Sequence, residues 1–177
     1  RRPAASPEPK TVSDASYTVS NGSRTVPVVM NAIGGYHLVV TPSGPNTSLT
    51  GRYQITNKNS GLALDTLNAG TGQGTSVVQA TSTTGTDQNW TLVAAGSGLY
   101  KIQQQASGLL LGITNAGTAD GGTALIWGDN GTADHLWQVI PAPGGYYKIA
   151  NYNSGRLLGV NGMSTASGAQ VLQWSAN

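Results

Sequence analysis

The clearest feature of the sequence is an arrangement of apolar and polar positions that occurs three times. In each copy a short segment beginning with tyrosine alternates apolar and polar residues, and a Ser-Gly pair and a leucine-rich segment follow. The equivalent tyrosines, Tyr53, Tyr100 and Tyr147, are 47 residues apart, and no insertion or deletion is needed to align the copies. A repeat of this kind predicts one supersecondary unit that buries its apolar face against its siblings.

Each copy predicts four short β-strands, because apolar residues alternate with polar ones and helical periodicity is absent. In the second copy these strands occupy 100–103, 109–111, 124–126 and 137–140. Turns rich in Gly, Thr and Asn separate them. Three such units predict an all-β fold, a threefold barrel capped by hairpins, with repeats at about 51–97, 98–144 and 145–177.

The third repeat is predicted to lack its last strand. Trp90 and Trp137 open the fourth strand of the first two repeats, and we expect both to be core residues wedged between repeats. The equivalent tryptophan would fall 47 residues after Trp137, beyond Asn177. A barrel without one strand exposes an unpaired edge, which is costly. We therefore expect the polypeptide to continue, or a partner chain to supply the strand, and favour a truncated chain or a tail.

Residues 1–50 differ from the repeats. A Pro-rich start at 1–10 is followed by predicted strands at 17–20, 25–30 and 36–41, and a Pro/Gly/Ser-rich linker leads to the repeats. Three short strands bury little core. The segment either packs onto the repeats or completes a larger sheet. We prefer the second interpretation, because the strands resemble the end of a small β-sandwich that follows the catalytic barrel of many glycoside hydrolases.

Composition and charge exclude several classes of protein. Residues 53–177 carry four Lys or Arg and five Asp, a net charge of −1. They contain no basic stripe with interleaved aromatic residues, so nucleic acid is not an expected partner. The absence of cysteine excludes disulfides, Cys-ligated metals and a thiol nucleophile. No segment approaches the roughly 20 apolar residues of a membrane span. The sequence contains no signal peptide, because no apolar run follows Arg1 and Arg2. We therefore expect a mature, cytosolic or excised chain.

Specific motifs identify a family resemblance. Gln88-Asn89-Trp90 is the Gln-x-Trp signature of ricin-type β-trefoil lectins, also called family 13 carbohydrate-binding modules, and His135-Leu136-Trp137 is a variant of it. The segments 60–65 and 168–174 are also similar to that family. The resemblance extends from Tyr53 to the C-terminus and recurs in phase in three repeats. It implies a β-trefoil with up to three shallow sugar pockets.

The resemblance also implies which side chains meet the sugar. Trp127 and Trp174 occupy the position of the stacking aromatic ring, whereas the first repeat has Ala80 there. Asp65 occupies the position of the main hydroxyl acceptor, which Gly112 and Gly159 replace in the other repeats. Polar partners precede the core tryptophan. The residues implied to bind carbohydrate are Asp65, Gln88, Trp127, Asp134, His135 and Trp174. No repeat combines the ring with the acid, which argues for weak, avid or extended-chain binding.

Catalysis by this chain is not expected. Glycoside hydrolysis needs two facing carboxylates, and the only glutamate is Glu8, in the Pro-rich start. No nucleophile motif or metal-ligand spacing accompanies His37 or His135. We expect no cofactor and a secreted module that tethers an attached glycoside hydrolase to a polysaccharide containing galactose, arabinose or xylose. The alternatives are an interaction or inhibitory scaffold without a sugar site and a fragment of a glycoside hydrolase.

Overall fold

The structure, a computed structural model, describes residues 48–177 and, before them, four short strands. Strand β1 (Ser16–Val19) pairs antiparallel with β2 (Arg24–Pro27), and β3 (Val29–Met30) pairs antiparallel with β4 (Tyr36–His37). The chain forms two units, residues 1–48 and 49–177. The Pro-rich start and most of the predicted linker lie outside the described residues. The predicted second strand, at 25–30, corresponds to the two strands β2 and β3.

The second unit contains eleven strands in three sets. The first set is β5 (Gly51–Tyr53), β6 (Ala63–Thr66), β7 (Val77–Ala80) and β8 (Trp90–Ala94). The second is β9 (Tyr100–Gln104), β10 (Leu110–Ile113), β11 (Ala124–Trp127) and β12 (Trp137–Ala142). The third is β13 (Tyr146–Asn151), β14 (Leu157–Val160) and β15 (Val171–Trp174). Short 3-10 turns occupy Leu67–Ala69, Thr86–Gln88, Thr114–Ala116, Ala133–His135 and Asn161–Met163. Residues 48–177 contain no α-helix, and the all-β prediction is confirmed.

The strand pairing repeats with the sequence. Strand β8 pairs with both β5 and β9, and β12 pairs with both β9 and β13, so first and fourth strands build one continuous layer. The second and third strands form the hairpins β6–β7, β10–β11 and β14–β15, each with four paired residues on each strand. First and fourth strands thus form the shared layer, and second and third strands form the hairpins, an arrangement of strands that the sequence did not assign.

Three equivalent backbone hydrogen bonds join the hairpins around a pseudo-threefold axis. Gly74 N donates to Ile126 O at 2.8 Å, Gly121 N to Gln173 O at 2.9 Å, and Gly168 N to Gln79 O at 2.7 Å. The three glycines have φ values of 84°, 84° and 86°, a region that favours glycine because it has no Cβ. Each hairpin therefore contacts the next in a closed cycle, as the 47-residue repeat predicts.

The two core tryptophans are fully buried. Trp90 and Trp137 have no exposed surface, and their indole N–H groups donate to the carbonyls of Leu64 at 3.0 Å and Leu111 at 2.9 Å. Each indole therefore joins the fourth strand of a repeat to the second strand of the same repeat. The prediction that both are core residues is confirmed. The buried core also contains Val77, Leu92, Ile102, Ile113, Ala124, Ile126 and Val171.

The third repeat is buried less well than its siblings. All four residues of β6 and of β10 are buried, whereas all four of β14 are half-buried. The described part of the chain places no strand between β13 and β5, where symmetry puts a fourth strand of this repeat. The apolar residues on both sides consequently line an open groove.

Candidate functional site

Two indole rings project from the surface at equivalent positions. Trp127 ends β11 with 40% of its surface exposed, and Trp174 ends β15 with 51% exposed. The preceding residues, Ile126 and Gln173, face inward with none of their surface exposed, and the indoles lie at the strand ends on the opposite face. Two large apolar faces are thus held on rigid strand ends and offered to solvent.

Each ring rests on a glycine of the preceding repeat. A Cβ added at Gly74 would lie 3.5 Å from Cζ3 of Trp127, and one added at Gly121 would lie 3.6 Å from Cζ3 of Trp174. The equivalent Gly168 has no atom within 4 Å of that point, because the first repeat carries Ala80 instead of a tryptophan. The first repeat therefore lacks the aromatic ring that Gly168 of the third repeat would support.

A side chain of the preceding repeat also holds the backbone beside each indole. The N–H of Gly128, next to Trp127, donates to Gln73 Oε1 at 2.9 Å. The N–H of Ser175, next to Trp174, donates to Asp120 Oδ1 at 2.7 Å. Hydrogen bonds from Ser175 and Arg156 lower the pKa of Asp120. Sequence reasoning missed the role of Gln73, although Gln73 and Asp120 share the 47-residue offset that could have identified the pair.

The acid of the first repeat is buried and bonded within the protein. Asp65 is 7% exposed, and its Oδ1 accepts from the Thr66 N–H at 2.6 Å while Oδ2 accepts from Gln88 Nε2 at 2.9 Å. Burial raises the pKa of the Asp65 carboxyl, the hydrogen bonds from Gln88 and Thr66 oppose that rise, and nearby Asp87 adds to it. Gln88, itself buried, also donates to the carbonyl of Thr81 and accepts from the Thr83 N–H.

The second repeat places an acid at the same backbone position from a different element. Gly112 stands where the first repeat has Asp65, and Asp134 from the turn before Trp137 fills the space. Asp134 Oδ2 accepts from the Ile113 N–H at 3.1 Å, as Asp65 accepts from Thr66, the residue equivalent to Ile113. The buried His135 lies beside it, with Nε2 3.7 Å from Asp134 Oδ2. The family resemblance implied a main hydroxyl acceptor in the first repeat alone, at Asp65, and gave Asp134 only as a polar partner before the core tryptophan.

The third repeat leaves the equivalent space open. A Cβ at Gly159 would meet no atom within 4 Å, and across residues 48–177 no carboxylate reaches the N–H of Val160, the equivalent of Ile113. A cavity of about 650 Å³ adjoins Trp174 here. Amide and hydroxyl groups line it, together with Met163, which is 76% exposed. The polar lining residues are Asn57, Asn59, Asn161, Ser175 and Asn177.

The six predicted site residues fall into two groups. Trp127 and Trp174 are exposed, whereas Asp65, Gln88, Asp134 and His135 are 7%, 1%, 3% and 2% exposed. The buried four bond or pack against the backbone beneath the loops. Of these six residues, a ligand in solution can reach the side chains of Trp127 and Trp174 in this conformation. Ligand contact by all six stays a prediction.

Among residues 48–177 no cluster of three or more His, Asp or Glu could hold a metal ion, and no helix there is long and apolar enough to cross a membrane.

Comparison with known proteins identifies a family whose model matches this chain. Residues 39–127 and 86–174 match the family described as ricin-type beta-trefoil lectin domain-like. A search of curated proteins found no match. The designed threefold-symmetric protein ThreeFoil is 36% identical, with a TM-score of 0.70 over 71% of this chain and 90% of that one.

Two natural proteins with similar structures extend this result. An exo-β-1,3-galactanase from Clostridium thermocellum is 35% identical with a TM-score of 0.70, and the match covers 73% of this chain and 28% of the galactanase. A ricin B-like lectin from Macrolepiota procera, solved with lactose, has a TM-score of 0.63 at 22% identity, covering 75% of this chain and 91% of that one, and shows the shared fold alone.

Proposed function

This chain belongs to the ricin-type β-trefoil lectin domain-like family, and from that premise we propose that it binds carbohydrate without catalysis, through Trp127 and Trp174. The observation that carries the proposal is the pair of exposed indoles, each supported by a glycine of the preceding repeat and held by a Gln73 or Asp120 hydrogen bond. A rigid aromatic face offers apolar area to the C–H face of a pyranose at low entropic cost.

Each pocket alone binds weakly in this proposal. A dissociation constant of about 1 mM for a single pocket would correspond to a binding free energy of about −4 kcal/mol. Two pockets on one polysaccharide raise the overall avidity about 10²- to 10⁴-fold through effective concentration, without any new contact. The physiological ligand is therefore a polymer rather than a free monosaccharide, and we propose a galactose-, arabinose- or xylose-containing one.

The proposed role is that of a secreted tether for an attached glycoside hydrolase. The similarity to the exo-β-1,3-galactanase supports this role, because this chain spans 28% of that protein and so matches part of a longer polypeptide. A tether raises the local concentration of a catalytic domain on an insoluble substrate, which weak multivalent contacts achieve while still allowing movement along the polymer.

Affinity electrophoresis tests the binding proposal. Native gels containing arabinogalactan, xylan or no polysaccharide compare the unmodified chain with Trp127→Ala, Trp174→Ala and the double variant. Tyr146→Ala is the matched control, because Tyr146 is an aromatic residue of similar exposure, 45%, that is neither of the two indoles. We expect retardation that falls in each single variant and disappears in the double variant, at unchanged thermal midpoints. Migration of the unmodified chain at the same rate in every gel would contradict the proposal.

A further inference from the structure

The turn before the second strand carries the same motif in two of the three repeats. It reads Asn-X-Asn-Ser-Gly at 57–61 and 151–155, whereas the equivalent segment 104–108 reads Gln-Gln-Ala-Ser-Gly. In both motifs the side-chain oxygen of the first asparagine accepts from the N–H of the second, at 2.9 Å and 3.1 Å, which fixes the turn. The second asparagines, Asn59 and Asn153, are exposed, and their side-chain amides reach another repeat.

Each of these two asparagines bonds the loop between the second and third strands of a neighbouring repeat. Asn153 Nδ2, in the third repeat, donates to Ala116 O of the second repeat at 2.9 Å. Asn59 Nδ2, in the first repeat, donates to Met163 O of the third repeat at 3.1 Å. The equivalent residues Ala116 and Met163 have left-handed φ values of 49° and 52°, which a residue other than glycine keeps only where its surroundings hold it. The asparagine amides supply such a contact.

Buried glutamines hold the remainder of the same two loops. Gln173 and Gln79 are 0% and 1% exposed, and each donates from Nε2 to two loop carbonyls at 2.8–3.0 Å. The acceptors are Gly117 and Ala119 in the second repeat, and Ser164 and Ala166 in the third. Each glutamine comes from the same neighbouring repeat as the asparagine. Each loop is therefore held at its base by a buried amide and at its surface by an exposed one.

The loop of the first repeat has neither of these contacts. Ala106 and Ile126 occupy the positions of the asparagine and the glutamine, so the second repeat offers this loop no side-chain amide at either position. Gly72 O, equivalent to Ala119 O, accepts instead from Thr75 Oγ1 of its own loop at 2.7 Å. The first repeat is also the one without a surface indole. The contacts between repeats thus accompany the two exposed rings.

The third repeat shows how this contact bears on the space beside an indole. The cavity of about 650 Å³ next to Trp174 is lined by residues 161–163 and, from the first repeat, by Asn59. The hydrogen bond from Asn59 to Met163 O therefore joins two walls of one cavity. By the pseudo-threefold symmetry, the corresponding bond in the second repeat stands in the same relation to Trp127.

We propose that Asn153 is a positioning residue for the sugar pocket at Trp127, and Asn59 for the pocket at Trp174. This inference rests on the proposed carbohydrate binding and adds the residues that shape its two pockets. A loop that is already fixed in the free protein loses less conformational freedom when a sugar binds against it, which strengthens binding. Each pocket is consequently built by two repeats, and the asparagine acts through the loop rather than through contact with the sugar.

The first part of the test measures the loops without glycan in Asn153→Ala and Asn59→Ala. Both side chains are exposed, so neither substitution opens a cavity in the core. The N–H groups of Gly117 and Ser164 are equivalent probes, because each donates within the 3-10 turn of its loop, at 3.1 Å and 3.2 Å. We expect hydrogen exchange to become about two- to tenfold faster at Gly117 in Asn153→Ala alone, and at Ser164 in Asn59→Ala alone.

The second part titrates the same variants with oligosaccharides of arabinogalactan or xylan and follows each indole N–H signal separately. The dissociation constant at Trp127 should rise about two- to tenfold in Asn153→Ala, with that at Trp174 unchanged. Asn59→Ala should show the converse. The two variants are matched controls for one another, because a general loss of stability would not separate the two indoles.

The remaining outcomes contradict different parts of the inference. Unchanged dissociation constants at both indoles in both variants would overturn the positioning roles and leave sugar binding standing. A weaker pocket whose loop amide exchanges at the original rate would overturn them in favour of direct contact between asparagine and sugar. Indole signals that no glycan shifts in the unmodified chain would refute the proposed function, and with it the inference that rests on it.

Discussion

Substituting Gly112 by alanine tests the conclusion that Asp134 and His135 fill the space above this glycine. A methyl group there would lie 2.5 Å from His135 Cδ2, 2.7 Å from His135 Nε2 and 2.9 Å from Asp134 Oδ2. A Cβ atom essentially never lies closer than 3.0 Å to a non-bonded heavy atom, so all three approaches are repulsive. Asp134 and His135 are 3% and 2% exposed and cannot swing into solvent. The overlap must be relieved by moving a packed turn.

The expected magnitude follows from two opposing effects. Overpacking a well-packed interior costs about 1–3 kcal/mol. Replacing glycine by alanine in a permitted backbone conformation returns about 0.4–1 kcal/mol by restricting the unfolded chain. Gly112→Ala should therefore lower the free energy of unfolding by about 0.5–2 kcal/mol. At about 2–4 °C per kcal/mol for a chain of this size, the midpoint falls by several degrees.

Gly159→Ala is the matched control, because Gly159 occupies the same position in the third repeat and a methyl group there meets no atom within 4 Å. It should stabilise the chain by about 0.4–1 kcal/mol. Urea unfolding followed by circular dichroism measures both variants. In the double variant Gly112→Ala/His135→Ala, the loss should be smaller than the sum of the single losses, since the contact is already removed. Equal effects of the two glycine substitutions would refute the packing that we describe around Gly112.

Two further predictions concern the first repeat. Because burial raises the folded-state pKa of Asp65 above its ordinary value of 3.8, the stability that this carboxyl contributes is present below pH 3.8 and is lost as pH rises through the folded-state pKa. Urea midpoints between pH 3 and 7 should therefore fall with rising pH in the unmodified chain relative to Asp65→Asn, and parallel curves would contradict the burial effect. Ala80→Trp should place an indole over Gly168, as Trp127 lies over Gly74, and increase retardation in polysaccharide gels relative to Ala80→Leu. Equal retardation of the Trp and Leu variants would show that the first repeat cannot form a ring pocket.

The sequence predicts the fold well because its signal is periodic. The 47-residue offset of Tyr53, Tyr100 and Tyr147 and the buried positions of Trp90 and Trp137 depend on backbone geometry that every repeat shares. These features follow from local spacing, which the linear sequence contains. The family resemblance, rather than alternation along the strands, implied ligand-facing indoles at Trp127 and Trp174, which are 40% and 51% exposed.

The sequence predicts the surroundings of the indoles less well, because those contacts join different elements. A comparison of equivalent positions finds Gly112 where the first repeat has Asp65. It does not show that Asp134, 22 residues further along, accepts from the N–H of Ile113, the residue equivalent to Thr66. Burial of Gln88 and His135 likewise depends on how the turn before each core tryptophan packs under its hairpin. Which element supplies the side chain at an equivalent position can be determined only from the three-dimensional structure.

The most direct test of the account uses the four tryptophans of the chain as separate reporters. A ¹H–¹⁵N correlation spectrum resolves the indole N–H groups of Trp90, Trp127, Trp137 and Trp174, assigned with single Trp→Phe variants. Titration with oligosaccharides of arabinogalactan or xylan should shift the signals of Trp127 and Trp174 and leave those of Trp90 and Trp137 unmoved. Four unmoved signals with every glycan, or shifts confined to the buried pair, would contradict binding at the exposed indoles.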